Sequence, residues 1–462
     1  MSYIEKLVRN EGGRTAPGVE RRAINASRWL NGLRSLLLIG TVSIAMAGCA
    51  AAIDTVSAPS RSSFDRAEIV KGSELATIGN CMLCHTAPGG TAFAGGRAIA
   101  TPFGTIFATN ITPDAETGIG HWSEYAFRRA MHEGIDRSGN HLFPAFPYDH
   151  FTKVADDDVA AIYAFLMTRE PVRANAPPNT VPVPRPLLAA WNALYLHRGP
   201  FQPDPLRSAV WNRGAYLVEG LGHCGSCHTP RNSLGAEQRG QELAGGDAEG
   251  WYSPALNAQS EAPIPWTQDS LVAYLGNGAD ESHGVAAGPM APIAHGLSQV
   301  PAADLQAIAT YLASLQSDPG PERRQQADAL LARAAEAAAN AGSNGSTTTA
   351  ASTSDNGADI YRGACGTCHA NGWRKPSAGM IPLAFSTALH TPDPRNLLHI
   401  ILEGIHPTEG EAGPLMPDFA GALTNDQIGT LVAYLRSHFT TRPAWTDIDK
   451  RLTELRTSRE SS

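Results

Sequence analysis

Residues 81–85 (CMLCH), 224–228 (CGSCH) and 365–369 (CGTCH) repeat one frame: two cysteines three positions apart, with a histidine directly after the second. Together they use six of the seven cysteines. Side chains at i and i+3 of a helix are neighbours, so two thiols in this frame can add to the two vinyl groups of one porphyrin. The adjacent histidine then faces the iron, and the frame reads as a c-type haem attachment. One copy alone could be a redox dithiol or half of a zinc site. Three copies, each with its histidine and more than 140 residues from the next, point to haem instead. Paired disulfides would leave three histidines unexplained. The reading is therefore three covalently bound haem c groups. Cys81, Cys84, Cys224, Cys227, Cys365 and Cys368 attach them, and His85, His228 and His369 are the proximal ligands.

Working outward, the repeat extends well beyond the frames. Before each lies a short helical segment containing a glycine, Gly72, Gly214 or Gly357, which would allow a second helix to pack closely. After each lies a second helix ending twelve residues on at a glycine: Trp122 to Gly134, Trp266 to Gly278 and Pro392 to Gly404. Last comes an apolar helix opened by an acidic residue, Asp158, Asp304 or Asp426, a fair first-turn charge. Three or more short helices around a porphyrin make a small domain whose core is partly supplied by its cofactor. No sustained period-two pattern appears, so the fold class expected is all-α: three tandem class I cytochrome c domains at 66–170, 208–318 and 356–440.

A proline-rich loop separates the second and last helix of each copy. Gly278 plus twelve is Met290, in GPMAP; Gly404 plus twelve is Met416, in GPLMP. A thioether in a proline-stiffened loop suits the sixth iron position, and Met/His ligation raises haem potential. In the first copy, Gly134 plus twelve is Phe146, in HLFPAFPYDHF (141–151), which cannot bind iron. The nearby substitutes are His150, His141 and Met131, or an open position. The expectation is His150, which would make the first haem bis-histidine and lower its potential relative to the other two.

Between the copies, Glu170 to Pro205 is proline-rich and expected to run extended without helix; the connector is placed at 171–207. The linker at 319–355 reads as an alanine-rich helix followed by a flexible Ser/Thr-rich stretch. Residues 441–462 form a polar tail with a short helix candidate, DIDKRLTELR. At the other end, Arg21, Arg22, Arg28 and Arg34 precede an apolar run, Leu36 to Ala47, the pattern of an export signal over 1–50. AMAGC (45–49) is close to a lipoprotein box with Cys49 as the lipidated residue. Plain cleavage after Ala47, or an uncleaved anchor along the 19 uncharged residues Ser35 to Ile53, are the alternatives. Each places the mature chain outside the cytoplasm, on the periplasmic side of the inner membrane. Residues 1–48 carry seven basic and three acidic side chains, which leaves −12 on the rest of a chain whose total is −8. No basic patch for nucleic acid remains.

Four stretches carry a family resemblance: ATPFGTIFATNITPDAETGIGHWS (100–123), HLFPAFPYDHF, WNRGAYLVEGLGHCGSCHTPRNSLGAE (211–237) and GPMAP (288–292). With the three frames, they resemble the three-haem cytochrome c subunits of bacterial membrane-associated dehydrogenases, across nearly all the mature chain. In the branch serving quinoprotein alcohol dehydrogenases and flavin-dependent gluconate or sorbitol dehydrogenases, methionine typically stands where Phe146 does. The PAFPYDHF version resembles the branch working with molybdenum hydroxylases that oxidise aldehydes or N-heterocycles. The resemblance implies a large catalytic partner, a small iron–sulfur subunit, and electron delivery through the haems to ubiquinone or a terminal oxidase. It implies no catalysis by this chain alone. Pro88 and Pro230 are expected to orient the first two proximal histidines through a backbone carbonyl, with Asn371 at the matching place in copy three. The competing reading from another class is a self-contained haem enzyme with an open first haem.

Overall fold

The computed structural model of the chain describes residues 50–316, 318–341, 356–369, 381–407 and 415–460. Cys49 and the apolar run before it lie outside these. Each frame sits at the end of a glycine-containing helix that crosses the last helix of its own copy. In the first copy α1 (Arg66–Ile78) leads into α2 (Cys81–Cys84), followed by a hairpin of β1 (Ala98–Thr101) and β2 (Gly104–Phe107), then α3 (Glu124–Glu133) and α4 (Asp156–Met167). After the connector, which carries α5 (Leu188–Tyr195), the second copy repeats the order. It has α6 (Ala209–Tyr216), α7 (Gly225–His228), a hairpin of β3 (Gly246–Ala248) and β4 (Trp251–Ser253), and α8 (Gln268–Asn277). A two-residue pair of strands, α9 (Met290–Leu297) and α10 (Ala302–Leu315) complete it. Beyond α11 (Gly320–Ala341), the third copy has α12 (Asn356–Ile360), α13 (Gly366–His369), α14 (Arg395–Glu403), α15 (Asn425–Phe439) and a final α16 (Ile448–Glu460). The chain is helix-rich as expected, with short hairpins the composition did not announce; their strands are two to four residues long.

The glycines explain the crossing. A Cβ on Gly72 would lie 1.8 Å from the Ala161 carbonyl oxygen, and one on Gly214 would lie 2.0 Å from that of Ala307. Only a residue without a side chain lets the two backbones approach this closely. The second helices also share a stop: Gly134, Gly278 and Gly404 all take positive φ (62°, 71° and 73°) directly after the last helical residue, as C′ glycines do.

The first two copies are not separate bodies. One hydrophobic core runs from Leu75 of α1 through Leu166, Leu217 and Leu221 to Leu312 of α10, while the third copy has its own, around Leu398, Ile428 and Leu431. His223, which reads as a surface residue by type, packs edge-on to Phe151 of copy one at 5.5 Å and donates toward the Gly79 carbonyl at 3.3 Å. Burial then drives its pKa down to about 4, with His150 nearby adding to that.

Two expectations fail. The connector is not extended throughout: α5 forms from LAAWNALY, after a turn containing Pro186. Its Asn192 accepts from the Tyr148 hydroxyl at 2.7 Å, and its Trp191 indole donates to the Leu234 carbonyl at 3.0 Å. The rest does run extended, along β1–β2, where Phe107 N–H donates to Asn179 Oδ1. Nor is the tail merely polar. Leu452 and Leu455 of α16 are buried in the third core, and Trp445 donates to the Thr391 carbonyl while lying 4.1 Å from the Arg436 guanidinium. Among the described residues no helix is long and apolar enough to cross a membrane.

Replacing Gly214 with alanine should force α6 and α10 apart and lower stability by about 3 kcal/mol, the upper end of overpacking costs. Denaturant titration of Gly214→Ala against Gly421→Ala, whose added Cβ meets nothing within 4 Å, reads the crossing contact separately from the general effect of a glycine replacement.

Candidate haem sites

The residue before each of the first two frames, Asn80 and His223, takes a left-handed backbone (φ 52° and 37°). The chain thus turns sharply from the crossing helix into the attachment helix. Before the second and third frames this approach is a π-helical turn, Leu217–Leu221 and Tyr361–Cys365. Such turns recur at functional positions, and no residue pattern in these segments announces them.

The frame histidines, expected to be the proximal ligands, are held alike in the first two copies. His85 Nδ1–H donates to the Thr109 carbonyl at 2.6 Å, and His228 Nδ1–H to the Pro254 carbonyl at 2.7 Å. A carbonyl can only accept, so the proton is on Nδ1 and the Nε2 lone pair is left for a metal. Burial pulls both pKa values down, only partly opposed by those hydrogen bonds, so both rings are neutral. The carbonyls are not those of Pro88 and Pro230, as expected from sequence. They come from 24 and 26 residues downstream, beside the hairpins. His369 is also depressed by burial; Asn371, its expected counterpart, lies outside the described residues. Burial raises the thiols of Cys84 and Cys365, those of Cys81 and Cys224 to about 12, and that of Cys227 to about 11. Neutral thiols in an apolar crevice fit thioether attachment better than a thiolate metal site.

An apolar cavity of about 450 Å³ fits the group. It is lined by Cys224, Cys227, His228 and Met290 on one side and by Cys365, Cys368, His369 and Met416 on the other, with Trp266, Leu271, Leu397 and Leu431 among the walls. Each methionine therefore opens onto the same space as the frame of its own copy. Their backbone settings differ, however. Met290 begins α9, whereas Met416 pairs with Ile405 in a bridge (2.8 and 2.9 Å).

The first copy keeps the register of the second. Leu142 N–H donates to the Gly134 carbonyl at 2.7 Å just as Ala286 N–H does to that of Gly278 at 2.8 Å. Counting on from either, Phe146 stands where Met290 does; its ring packs against Phe151 at 5.3 Å. His150 does not take the methionine's place. Its Nδ1 lies 2.8 Å from the Glu219 carbonyl and its Nε2 2.7 Å from Glu237 Oε1, both in the second copy. With both nitrogens committed, and the ring against Gly225 of the second frame, His150 is a buried link between copies rather than an iron ligand. Of the other candidates, His141 is buried with Nδ1 3.2 Å from Asn192 Nδ2, and Met131 is packed in the shared core. The arginines near the sites have protein partners: Arg97 bonds Glu249, Arg128 bonds Asp156, and Arg231 bonds the Ser226 and Gly235 carbonyls.

Attachment frames whose histidines are, in the first two copies, held by backbone carbonyls define a c-type cytochrome, with covalently bound haem. Comparison with known proteins narrows the class. Residues 352–435 match the family described as cytochrome c oxidase, cbb3-type, subunit III. The chain is 44 % identical over 455 residues to a nicotinate dehydrogenase subunit of Pseudomonas putida, covering 96 % of this chain but 37 % of that protein. It is 38 % identical to the fructose dehydrogenase cytochrome subunit of Gluconobacter japonicus (82 % of this chain, 81 % of that one). It is 33 % identical to the gluconate 2-dehydrogenase cytochrome c subunit of Pantoea cypripedii (80 % and 85 %). The chain belongs to the family of dehydrogenase cytochrome c subunits.

For His150, burial works against the charged ring, but the hydrogen bond and charge of Glu237 outweigh it and the pKa rises. For Glu237, burial is likewise outweighed by His150 and the pKa falls. The imidazolium's contribution is complete below the ordinary imidazole pKa and lost as pH rises through the raised value. The carboxylate's is complete above the ordinary carboxylate pKa and lost as pH falls through the lowered one. The link is thus strongest between about pH 4.3 and about pH 6.5. His150→Ala should leave the low-spin haem spectrum unchanged and cost about 2 kcal/mol in that window, because Glu237 loses its hydrogen-bonded partner and keeps only the longer contact with Arg231 at 3.9 Å. Chemical denaturation followed at several pH values, with optical spectra of the same samples, checks both parts.

Proposed function

We propose that this chain is a three-haem electron-transfer subunit that accepts electrons from a separate catalytic dehydrogenase and passes them to ubiquinone or another respiratory acceptor. The observation that carries the reading is the threefold recurrence of an attachment frame at the end of a glycine-crossed helix, with two proximal histidines locked as neutral Nε2 donors. Bound haem supplies reversible one-electron iron chemistry. The chain supplies covalent attachment through Cys81, Cys84, Cys224, Cys227, Cys365 and Cys368. It orients His85 and His228 by fixed carbonyls and excludes water with apolar walls. Met290 and Met416, which line the cavity with the frames of their own copies, would hold the iron of the second and third sites opposite His228 and His369.

The partner proposed is a molybdenum hydroxylase-type dehydrogenase with an iron–sulfur subunit, acting on an N-heterocycle or aldehyde. The likeness to the nicotinate dehydrogenase subunit supports this, together with Phe146 in the place of methionine. The likeness to fructose and gluconate dehydrogenase subunits supports the alternative, a flavoprotein or quinoprotein partner. In both, the chain works on the periplasmic face of the inner membrane, held there through Cys49 or the apolar segment before it.

The deciding experiment is to isolate the native complex through a tag on this chain and identify its companions. A molybdopterin subunit with an iron–sulfur subunit is the expected result; a flavin or quinone-cofactor subunit selects the alternative. For the sites, Met290→His and Met416→His should each lower the midpoint potential of one haem while leaving the haem count per chain unchanged. Spectroelectrochemical titration measures both.

A further inference from the structure

The β3–β4 hairpin of the second copy is seated on α14 of the third. Tyr252 N–H donates to Asn396 Oδ1 at 2.9 Å, and Asn396 Nδ2 donates back to the Tyr252 carbonyl at 2.8 Å. Arg395 bonds Asp247 at the hairpin's start, and His399 Nε2 lies 3.3 Å from the Gly250 carbonyl at its turn. In the middle, the Trp251 indole lies flat on the His399 ring, centroids 4.4 Å apart and planes 10° apart. The indole also packs against Gly288: a Cβ there would come within 2.4 Å of the ring. Trp251 is therefore clamped between the Gly288–Met290 segment of the second site and the helix whose Leu397, Ile400 and Ile401 wall the third. At that clamp the two sites open into one cavity.

We propose that Trp251 is a positioning residue for direct electron exchange between the second and third haem sites. One electron leaves ferrous iron at one site and reduces ferric iron at the other; no bond is made or broken and no proton moves. The indole sets the separation at which this happens, because it touches both the methionine segment of one site and a wall helix of the other. This rests on the three-haem reading above.

The test uses the full-length holoprotein. Haem per chain is counted first on the unaltered protein, and fewer than three would fail the earlier reading rather than this one. Electron equilibration after rapid partial reduction is then followed optically, with redox titration and hydrogen exchange on the same samples. Trp251→Ala should slow equilibration between the second and third sites by about tenfold, as small misplacements of reacting partners do. Midpoint potentials should stay unchanged, and exchange should rise over 246–253 and 395–403. Trp251→Phe, which keeps an aromatic wedge, should recover most of the rate. His399→Leu approaches the stack from the other side without touching the Met290 segment, and gives the same answer if Trp251→Ala does not fold. Equilibration as fast as in the unaltered protein, or a slowed rate explained by a shifted potential at the second site, overturns the proposal.

Discussion

The contact on which the rest depends is a helix pressed against the backbone of another helix. At Gly72 and Gly214 a single methyl group would fall on a carbonyl oxygen of the last helix. Because the crossing is fixed there, the attachment frame begins at a set place beside the last helix. The apolar residues of that helix (Ile162 and Leu166, Ile308 and Leu312) are buried in the core. A weaker crossing would leave the cysteines free to wander. A porphyrin tied at two points, with a histidine that must meet its iron, needs the opposite.

Much of this was legible because it is local. The frames, the glycines before them, the twelve-residue interval to the C′ glycine and the acidic first turns are patterns within some thirty residues, and each shows up as an element. The replacement of methionine by Phe146 was legible too, since the register of the loop is counted from Gly134. What was not legible lies between distant parts of the chain. His150 reads as a ligand in its own loop, but its partners Glu219 and Glu237 are 69 and 87 residues away. The carbonyls of Thr109 and Pro254 outrank the prolines next to the frames because the hairpins bring them under the imidazoles. Segment 188–195 was hidden by the prolines around it; α16 was legible as a helix, but its charged composition hid its packing against the third core. In both, one or two inward-facing residues, Asn192 or Leu452 and Leu455, tie the helix to a neighbour.

The copies are unequal in how they join. Between the first and second, a common apolar core and the His150–Glu237 pair leave little freedom. Burying two charges is costly, and the pair holds only while both partners are present. Between the second and third, the joint is a hairpin laid on a helix through an indole stack, two amide hydrogen bonds and a surface ion pair, with a small apolar cluster of Ile264, Ala327 and Phe385 beside it. Such a joint holds position with less buried apolar surface than a core does, so the third copy is the one whose placement depends most on a few named contacts.

The first site stands apart for a related reason. The second and third sites each have a methionine opening onto the cavity that holds their frame. In the first, the corresponding position is an aromatic ring packed on Phe151, and the imidazole nearest in sequence has been drawn away to bind the second copy. The same loop cannot serve both purposes: a histidine that links the copies through both ring nitrogens has none left for iron. The departure at Phe146 and the commitment of His150 are then two sides of one arrangement, in which the loop of the first copy trades an iron ligand for a fixed interface. The first site is consequently the one in which no methionine stands in the register that Met290 and Met416 occupy in their copies.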